Sequence, residues 1–298
     1  MNKKNVLIFG AGSIGNHMAN ACLKLKFNVF VTDISTKALT RMKEEIFIKR
    51  YGKWNNSIRL IEYDRVFQLK EKFKLIIIGT PPKTHYQLFK NCKKKLVYEN
   101  ILIEKPLCSF KQNFFISSKD LKNTNLFCGY NHSVSPSINY LFKKIEKVSP
   151  DQLEFIDIQW REGWRGIMNA HFWLKNERDT YLGNYKDGGG AIQEHSHGLH
   201  LSVCLMSKFF NDKYKIENKR VLFSKKVKNK VYDKYSSIIF YHKEKKLNLE
   251  LDLFSLYPRK EINIYLKNNK SISWIHNYKK NNDLVRINLG KKEKNFFF

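Results

Sequence analysis

Residues able to move protons concentrate in two places. One is Glu104-Lys105-Pro106. The other is Glu194-His195-Ser196-His197-Gly198-Leu199-His200, which follows three glycines, Gly188-Gly189-Gly190. On a helix, positions three apart share a face, so Glu194, His197 and His200 can line one surface while His195 points elsewhere. Imidazole titrates near neutral pH and suits proton transfer. The trio also has two blander readings. Helical histidines can be satisfied by structural hydrogen bonds, and Glu/His clusters bind zinc. Residues 195, 197 and 200 do not share one face, so no metal is expected. Lys105 sits where an apolar strand ends, with Pro106 stiffening the backbone that aims it. There it can orient a hydroxyl or shuttle a proton. The chain has many lysines, so the competing reading of Lys105 is a surface residue in a turn.

A third concentration opens the chain. Gly10-Ala11-Gly12-Ser13-Ile14-Gly15 follows the apolar run Asn5–Phe9 and precedes an amphipathic stretch, Asn16 to Lys26. A second apolar run, Asn28 to Thr32, closes on Asp33. Strand, glycine turn, helix, strand and terminal acid are the parts of a dinucleotide-binding βαβ unit. Gly10 allows the tight turn, Gly12 lets a pyrophosphate approach the backbone, and Gly15 lets the helix pack closely. The helix N-terminus offers N–H groups to the phosphates. Asp33, 18 residues past Gly15, can accept hydrogen bonds from both ribose hydroxyls and would repel a 2′-phosphate. With only Lys37 close behind it, NAD is favoured over NADP.

The elements that must position these groups follow from periodicity. Helices are expected over 37–49, 66–72, 85–93 and 191–206. Strands are expected over 57–63, 75–78, 96–98 together with 101–103, and 126–128. Gly10, Asp33, Thr80, Lys105 and Asn131 each sit where an apolar strand ends, and in a parallel sheet those ends share the edge where ligands bind. After about residue 150 the pattern changes. Runs at 153–160, 221–223, 236–241, 247–254, 262–266 and 271–274 read as strands, and Leu247–Leu253 alternates strictly, as in an antiparallel sheet. The expected fold class is α/β: an N-terminal Rossmann domain with a doubly wound parallel sheet over 1–125, then a C-terminal α+β domain over 126–298 with a largely antiparallel, open-faced sheet. Trp160-Arg161-Glu162-Gly163-Trp164-Arg165 and His171-Phe172-Trp173 precede the glycines. Trp faces stack on sugars and Arg forks onto carboxylate or phosphate. Equally, these residues read as a strand end and loop packed on the second sheet.

Composition bounds the function. At 298 residues and 42% apolar content the chain can build two cores. No apolar run approaches the roughly 20 residues a bilayer requires, and the N-terminus runs straight into the first strand, so neither a membrane span nor a signal peptide is expected. The five cysteines are scattered, without a CxxC pair, which points to reduced thiols and a cytoplasmic location. The net charge of +28 comes from lysines spread along the whole chain rather than clustered, so nucleic acid is not the expected ligand. Such a field attracts anionic small molecules.

Together these motifs resemble the glucose-fructose oxidoreductase / inositol dehydrogenase / rhizopine-catabolism (Gfo/Idh/MocA) family, over nearly the whole chain. The resemblance rests on Gly10–Gly15, on Thr80-Pro81-Pro82-Lys83-Thr84-His85, on Glu104-Lys105-Pro106-Leu107 and on Gly188–Ala191 opening a helix. It implies hydride transfer between a nicotinamide and a sugar, nucleotide-sugar or polyol hydroxyl carbon, either as the net reaction or transiently. It implies that Thr80, Pro81 and His85 border the cofactor and that Glu104 and Lys105 lie beside the nicotinamide. It also implies that the helix after the glycines supplies the acid/base group. The commonest family pattern there has Asp, a Gly two on and a His four on. This chain has Glu194, Ser196 and Gly198, and looks like a branch with a Ser-His pair. His197 is therefore assigned the acid/base role, Glu194 an orienting or relay role, and His200 a substrate contact. Trp164, Arg165, Trp173 and Tyr181 are implied to lie over the substrate, with Asn131 near it. The second-domain sheet often pairs between subunits in this family, which implies a homo-oligomer. The altered Glu194 and Gly198 positions keep open an alternative: a catalytically silent nucleotide-binding regulator of the same fold.

Overall fold

The computed structural model describes residues 4–110, 114, 116–122, 124–279 and 281–298. The chain divides into two compact units, Met1–Gly129 and Tyr130–Phe298.

The first unit alternates strand and helix: β1 (Asn5–Phe9), α1 (Ser13–Lys24), β2 (Asn28–Asp33), α2 (Thr36–Arg41), α3 (Phe47–Tyr51), β3 (Ile58–Glu62), α4 (Tyr63–Val66), β4 (Lys72–Ile78), α5 (His85–Lys95), β5 (Val97–Tyr98), β6 (Asn100–Ile103), α6 (Ser118–Leu121) and β7 (Asn125–Cys128). All its strand pairs are parallel. The order is β3-β2-β1-β4-β6-β7, with β5 alongside β4. The strands are apolar on both faces because each face is covered. Val6, Ile8, Val29 and Val31 pack with Ala19, Cys22 and Met42 on one side. Leu7, Phe9, Ile76 and Ile78 pack with Leu88, Phe89 and Cys92 on the other. The order reverses between β1 and β4, where such sheets bind ligands. β7 pairs with β6 throughout, so this sheet runs to Cys128, three residues past the sequence-based boundary at 125.

Two local expectations are corrected. The helix expected over 66–72 is a single turn, α4, and β4 already begins at Lys72. Its early start is set by Phe73, fully buried beside β1, while Lys72 and Lys74 both pair with Glu99. The helix expected over 37–49 is interrupted by a π segment, Met42–Ile46, before α3. Met42 and Ile46 are nonetheless both fully buried.

The second unit holds α7 (Pro136–Ile145), β8 (Leu153–Arg161), α8 (Trp164–Ala170), α9 (Ala191–Glu194), α10 (Ser196–Phe210) and β9 to β15: Lys215–Phe223, Asp233–His242, Lys245–Asp252, Arg259–Leu266, Lys270–Lys279, Asn282–Asn288 and Glu293–Phe297. They form one sheet, ordered β15-β14-β13-β12-β8-β11-β10-β9. All neighbouring pairs are antiparallel except β8 with β11. The alternation has its expected effect. Ile156, Ile158, Trp160, Leu247, Leu249 and Leu251 face Leu201, Leu205 and Met206 of α10 in one core. Asp157, Gln159, Asn248, Glu250 and Asn263 occupy the intervening positions side by side. Sequence periodicity missed α7, β14 and β15. The last is the terminal aromatic run, whose Phe296 packs on Tyr140 of α7, ring centroids 4.9 Å apart. No described helix is long and apolar enough to cross a membrane.

Candidate active site

The glycine turn of the first unit is closed on one side and open on the other. Gly10 has φ +106°, and a Cβ there would lie 2.7 Å from the Gly79 carbonyl oxygen. A Cβ on Gly15 would lie 1.8 Å from the Gly10 carbonyl oxygen, so α1 rests directly on the turn. The Cβ direction of Gly12 meets nothing within 4 Å. No side chain caps α1, which leaves its first-turn N–H groups and positive dipole end to an anion. Buried Asn16 braces the turn, donating from Nδ2 to the carbonyls of Ala11 and Gly12 (3.2 and 2.8 Å). Arg50 of α3 donates to the carbonyl and hydroxyl of Ser13 (2.9 and 2.8 Å). Asp33, ending β2, accepts from the N–H groups of Ala11 (2.8 Å) and Ser35 (2.9 Å). Each carboxylate oxygen keeps a lone pair for a hydroxyl. The open backbone at Gly12 and the acid beside it fit a dinucleotide's pyrophosphate and ribose.

The neighbouring strand ends add to the same edge. Gly79 follows β4 and donates to the Phe9 carbonyl (2.9 Å). The Thr80 hydroxyl bonds that of Thr84 at 2.6 Å, with Pro81 between β4 and the turn that opens α5. His85 is fully buried. Its ring nitrogens lie 2.7 Å from the Thr80 carbonyl and 3.1 Å from that of Leu107. It thus ties the loop after β4 to the loop after β6. Glu104 is buried at the end of β6. Its carboxylate lies against Gly129, where a Cβ would sit 2.7–2.9 Å from the carboxyl atoms. Burial pushes the Glu104 carboxyl above its ordinary range, and the neighbouring Lys105 charge offsets part of that. The Lys105 N–H donates to Glu104 Oε2 at 3.3 Å. Lys105 is half-buried and precedes a cis proline.

In the second unit the expected continuous helix is broken. α9 ends at Glu194 and α10 begins at Ser196, with His195 between them off the helical path at φ −94°, ψ 23°. His195 is buried and its Nε2 lies 2.7 Å from the Asp252 carbonyl oxygen, which anchors the break to β11. Glu194 therefore does not share one helix face with His197, correcting that expectation. His197 and His200 do share α10, and both meet Tyr130. The His200 ring stacks on it at 4.2 Å and 1°, and the His197 ring meets it edge-on at 5.8 Å. His197 also touches Trp160 (6.0 Å) and His132 (4.8 Å). Burial lowers the pKa of His200.

Gly190, the last of the three glycines before α9, answers to Asp233 of β10. This buried carboxylate accepts from the Ile192 N–H at 2.9 Å. A Cβ on Gly190 would lie 1.9 Å from its Oδ1. A Cβ on Gly189 would lie 2.1 Å from the Leu182 carbonyl oxygen. Gly198 seats α10 on β8, since a Cβ there would come within 3.0 Å of Trp160 Cβ. The residues expected over a substrate fall into separate groups. Trp164 packs edge-on against Tyr232 (5.3 Å) beside exposed Arg165. Trp173 meets His171 and Phe172 (5.3 and 5.1 Å). Tyr181 lies on the margin of the core. Asn131 is exposed at the start of the turn carrying His132. Sequence reasoning gave no weight to Tyr130, which meets His197 and His200, or to Asp233, whose partner Ile192 lies 41 positions away along the chain.

The family model described as "Oxidoreductase family, NAD-binding Rossmann fold" (GFO_IDH_MocA) matches residues 4–126. The match is to an NAD-binding Rossmann domain and covers the segment that holds the glycine turn and Asp33. Solved structures are similar across the whole chain. One is KijD10, a 3-ketoreductase from Actinomadura kijaniata in complex with NADP and TDP-benzene: TM-score 0.70, 10% identity, covering 100% of this chain and 85% of that one. Another is the UDP-N-acetylglucosamine 3-dehydrogenase GnnA from Acidithiobacillus ferrooxidans: TM-score 0.60, 14% identity, 100% and 83% covered. At those identities the likeness shows a shared fold. A siroheme synthase from Buchnera aphidicola subsp. Acyrthosiphon pisum is 25% identical over 176 residues, 58% of this chain and about a third (34%) of that protein.

Proposed function

We propose that this chain is an NAD-dependent dehydrogenase that moves a hydride between nicotinamide and a hydroxyl-bearing carbon of a sugar, nucleotide sugar or polyol. The observation that carries the reading is the open backbone at Gly12, at the N-terminus of α1, with the Asp33 carboxylate turned onto the same loop. The cofactor, when bound, supplies the hydride chemistry. Gly10, Gly12, Ser13, Ile14 and Gly15 would hold its pyrophosphate and Asp33 its adenosine ribose. Thr80, Pro81, His85, Glu104 and Lys105 belong to the loops that border it. The Asp33 charge favours NAD over NADP, since a 2′-phosphate beside a carboxylate is repelled.

Lys105 orients the reacting hydroxyl, and His197 takes its proton on oxidation and returns it on reduction. Glu194 is retained as a relay partner from its own short helix. Asn131, Trp164, Arg165, Trp173, Tyr181 and His200 are the substrate contacts of this reading. The substrate class is supported by the UDP-N-acetylglucosamine named for GnnA and the TDP-benzene bound to KijD10, and by the +28 charge, which draws anions. The polar face of the second sheet is the proposed homo-oligomer contact. The five free cysteines support a cytoplasmic setting.

Titration of tryptophan fluorescence with NADH and NADPH tests the cofactor half: both should bind, NADH more tightly, and absence of binding overturns the reading. A panel of UDP-, GDP- and dTDP-sugars, sugar acids and polyols, followed at the reduced-nicotinamide absorbance band, tests the reaction. NADH binding with no turnover on any of them favours a silent regulator. Light scattering across a dilution series tests the oligomer.

A further inference from the structure

We propose that Arg50 sets the Ser13 hydroxyl as a donor to the cofactor pyrophosphate, and so is a positioning residue for cofactor binding. This rests on reading the glycine turn as the pyrophosphate site. The two residues meet through a fork. Arg50 Nη1 lies 2.9 Å from the Ser13 carbonyl oxygen, and Nη2 lies 2.8 Å from Ser13 Oγ. A guanidinium only donates, whereas a hydroxyl has one hydrogen and two lone pairs. Arg50 therefore occupies a lone pair of Oγ and turns the hydroxyl hydrogen away from itself. Among the described residues, none accepts that hydrogen. Ser13 is half-buried and is the first residue of α1. Gly12, just before it, has the open side where a phosphate can approach. A hydroxyl obliged to donate there adds one hydrogen bond to those of the backbone N–H groups at the helix start.

Arg50 is held by its own element rather than by the turn it serves. Phe47 of α3 is buried and packs edge-on against Tyr51 and Trp54, ring centroids 4.9 and 5.3 Å apart. Tyr51 reaches α1 as well: its hydroxyl lies 2.6 Å from His17 Nδ1. Residues 13 and 17 are one helical turn apart, so adjacent residues of α3 grip successive turns of α1. Gly52, at φ +89°, ends α3 directly afterwards, and its N–H donates to the Ile48 carbonyl at 2.8 Å. Burial lowers the Arg50 guanidinium from its ordinary value, and the neighbouring Tyr51 offsets part of that. The group stays charged at neutral pH.

An arginine can aid an anion in two ways. As a countercharge it acts at a distance and fades with salt. As the donor that fixes a hydroxyl it acts at contact range, and only while the hydroxyl is present. The fork onto Ser13 is the second kind.

The test titrates the full chain with NADH, followed by tryptophan fluorescence. Arg50→Met keeps an apolar stem and removes the donors, and Ser13→Ala removes the hydroxyl. Each should weaken NADH binding by about tenfold, the scale of one hydrogen bond to a charged group. The double variant should bind as either single does, because Arg50 acts through Ser13. A merely structural Arg50 would weaken binding in the Ser13→Ala background as well. A combined loss of about a hundredfold, the product of independent effects, therefore overturns the proposal. The loss in Arg50→Met should persist at high ionic strength. A loss that disappears with salt makes Arg50 a plain countercharge and overturns the role of Ser13. ADP-ribose carries the pyrophosphate without the nicotinamide, and its displacement of NADH should reveal the same losses. Losses confined to NADH overturn the proposal. Ser13→Ala decides the matter even if Arg50→Met does not fold, since NADH affinity equal to the parent's would defeat the proposal. A parent that binds no NADH defeats the cofactor reading. A parent that binds NADH beside an Arg50→Met that binds it equally well defeats the Arg50 assignment alone.

Discussion

At the scale of single residues, the three glycines of the turn separate folding from binding. Gly12→Val should cost no more than about 1 kcal/mol, the scale of losing a favourable N-cap residue, because its Cβ enters open space at the start of α1. The same side chain fills the proposed pyrophosphate position, so NADH titration should show binding lost. Gly15→Ala is the reverse case. Its methyl meets a backbone carbonyl, and denaturant unfolding should show a loss of about 1–3 kcal/mol or more. Equal stability loss in both variants would remove the distinction. Asp33→Asn removes the charge and keeps one of the two hydrogen bonds from Ala11 and Ser35, since each is accepted by a different carboxylate oxygen and an amide has one acceptor. The ratio of NADH to NADPH affinity should fall by about tenfold, the equivalent of about 1.4 kcal/mol, and an unchanged ratio would dissociate Asp33 from cofactor choice. Lys105→Ala and His197→Ala should each lose turnover while keeping NADH affinity. Gly10, Gly12, Gly15 and Asp33 were legible in the sequence because their jobs depend on neighbours a few positions away. The bracing of the turn by Asn16 was not, since an amide folding back on two carbonyls leaves no periodic trace.

At the scale of elements, the decisive feature is the break between α9 and α10. Periodicity reads residues 191–206 as one helix because the apolar spacing is continuous. The interruption is imposed from outside, by the His195 ring held at the Asp252 carbonyl and by Asp233 held at the start of α9. Burial pushes the Asp233 carboxyl up to about 6, although the bonds from Ile192 and Ser236 act in the opposite direction. A carboxyl raised in the folded state binds its proton more tightly there than in the unfolded chain. Its contribution to stability is therefore complete below about pH 4 and is lost as pH rises through about 6, a difference of up to about 3 kcal/mol. Asp233→Asn should accordingly gain stability relative to the parent between about pH 4 and about pH 6. Urea unfolding of both proteins across that window measures it, and a constant difference would mean that Asp233 titrates normally. Gly198→Ala tests the seat of α10 on β8. Its methyl presses on Trp160, and a cost of about 1–3 kcal/mol is expected.

At the scale of the molecule, each unit holds its own set of polar groups. The parallel sheet carries the glycine turn, Asp33 and Lys105 at its strand ends, and in the second unit His197 and His200 stand on α10 and His276 on β13. The charge of +28 acts on both. Raising ionic strength from about 0.05 to about 0.5 M shortens the Debye length severalfold, so NADH association should slow markedly while dissociation changes little. Stopped-flow rates across that range check it, and salt-independent association would mean that the lysines are electrostatically idle.

The sequence by itself determined the βαβ unit, the division into a parallel and a largely antiparallel sheet, and the residues at the strand ends. Each depends on short-range spacing and on the alternation that burial demands. Only the tertiary structure decided that Glu194 and His197 occupy different helices, that His85 is a buried brace, and that His132 and His276 meet. These depend on contacts between residues up to 144 positions apart. Such pairs are brought together when the sheet closes its register and the core excludes water, and no local pattern encodes which side chains then touch.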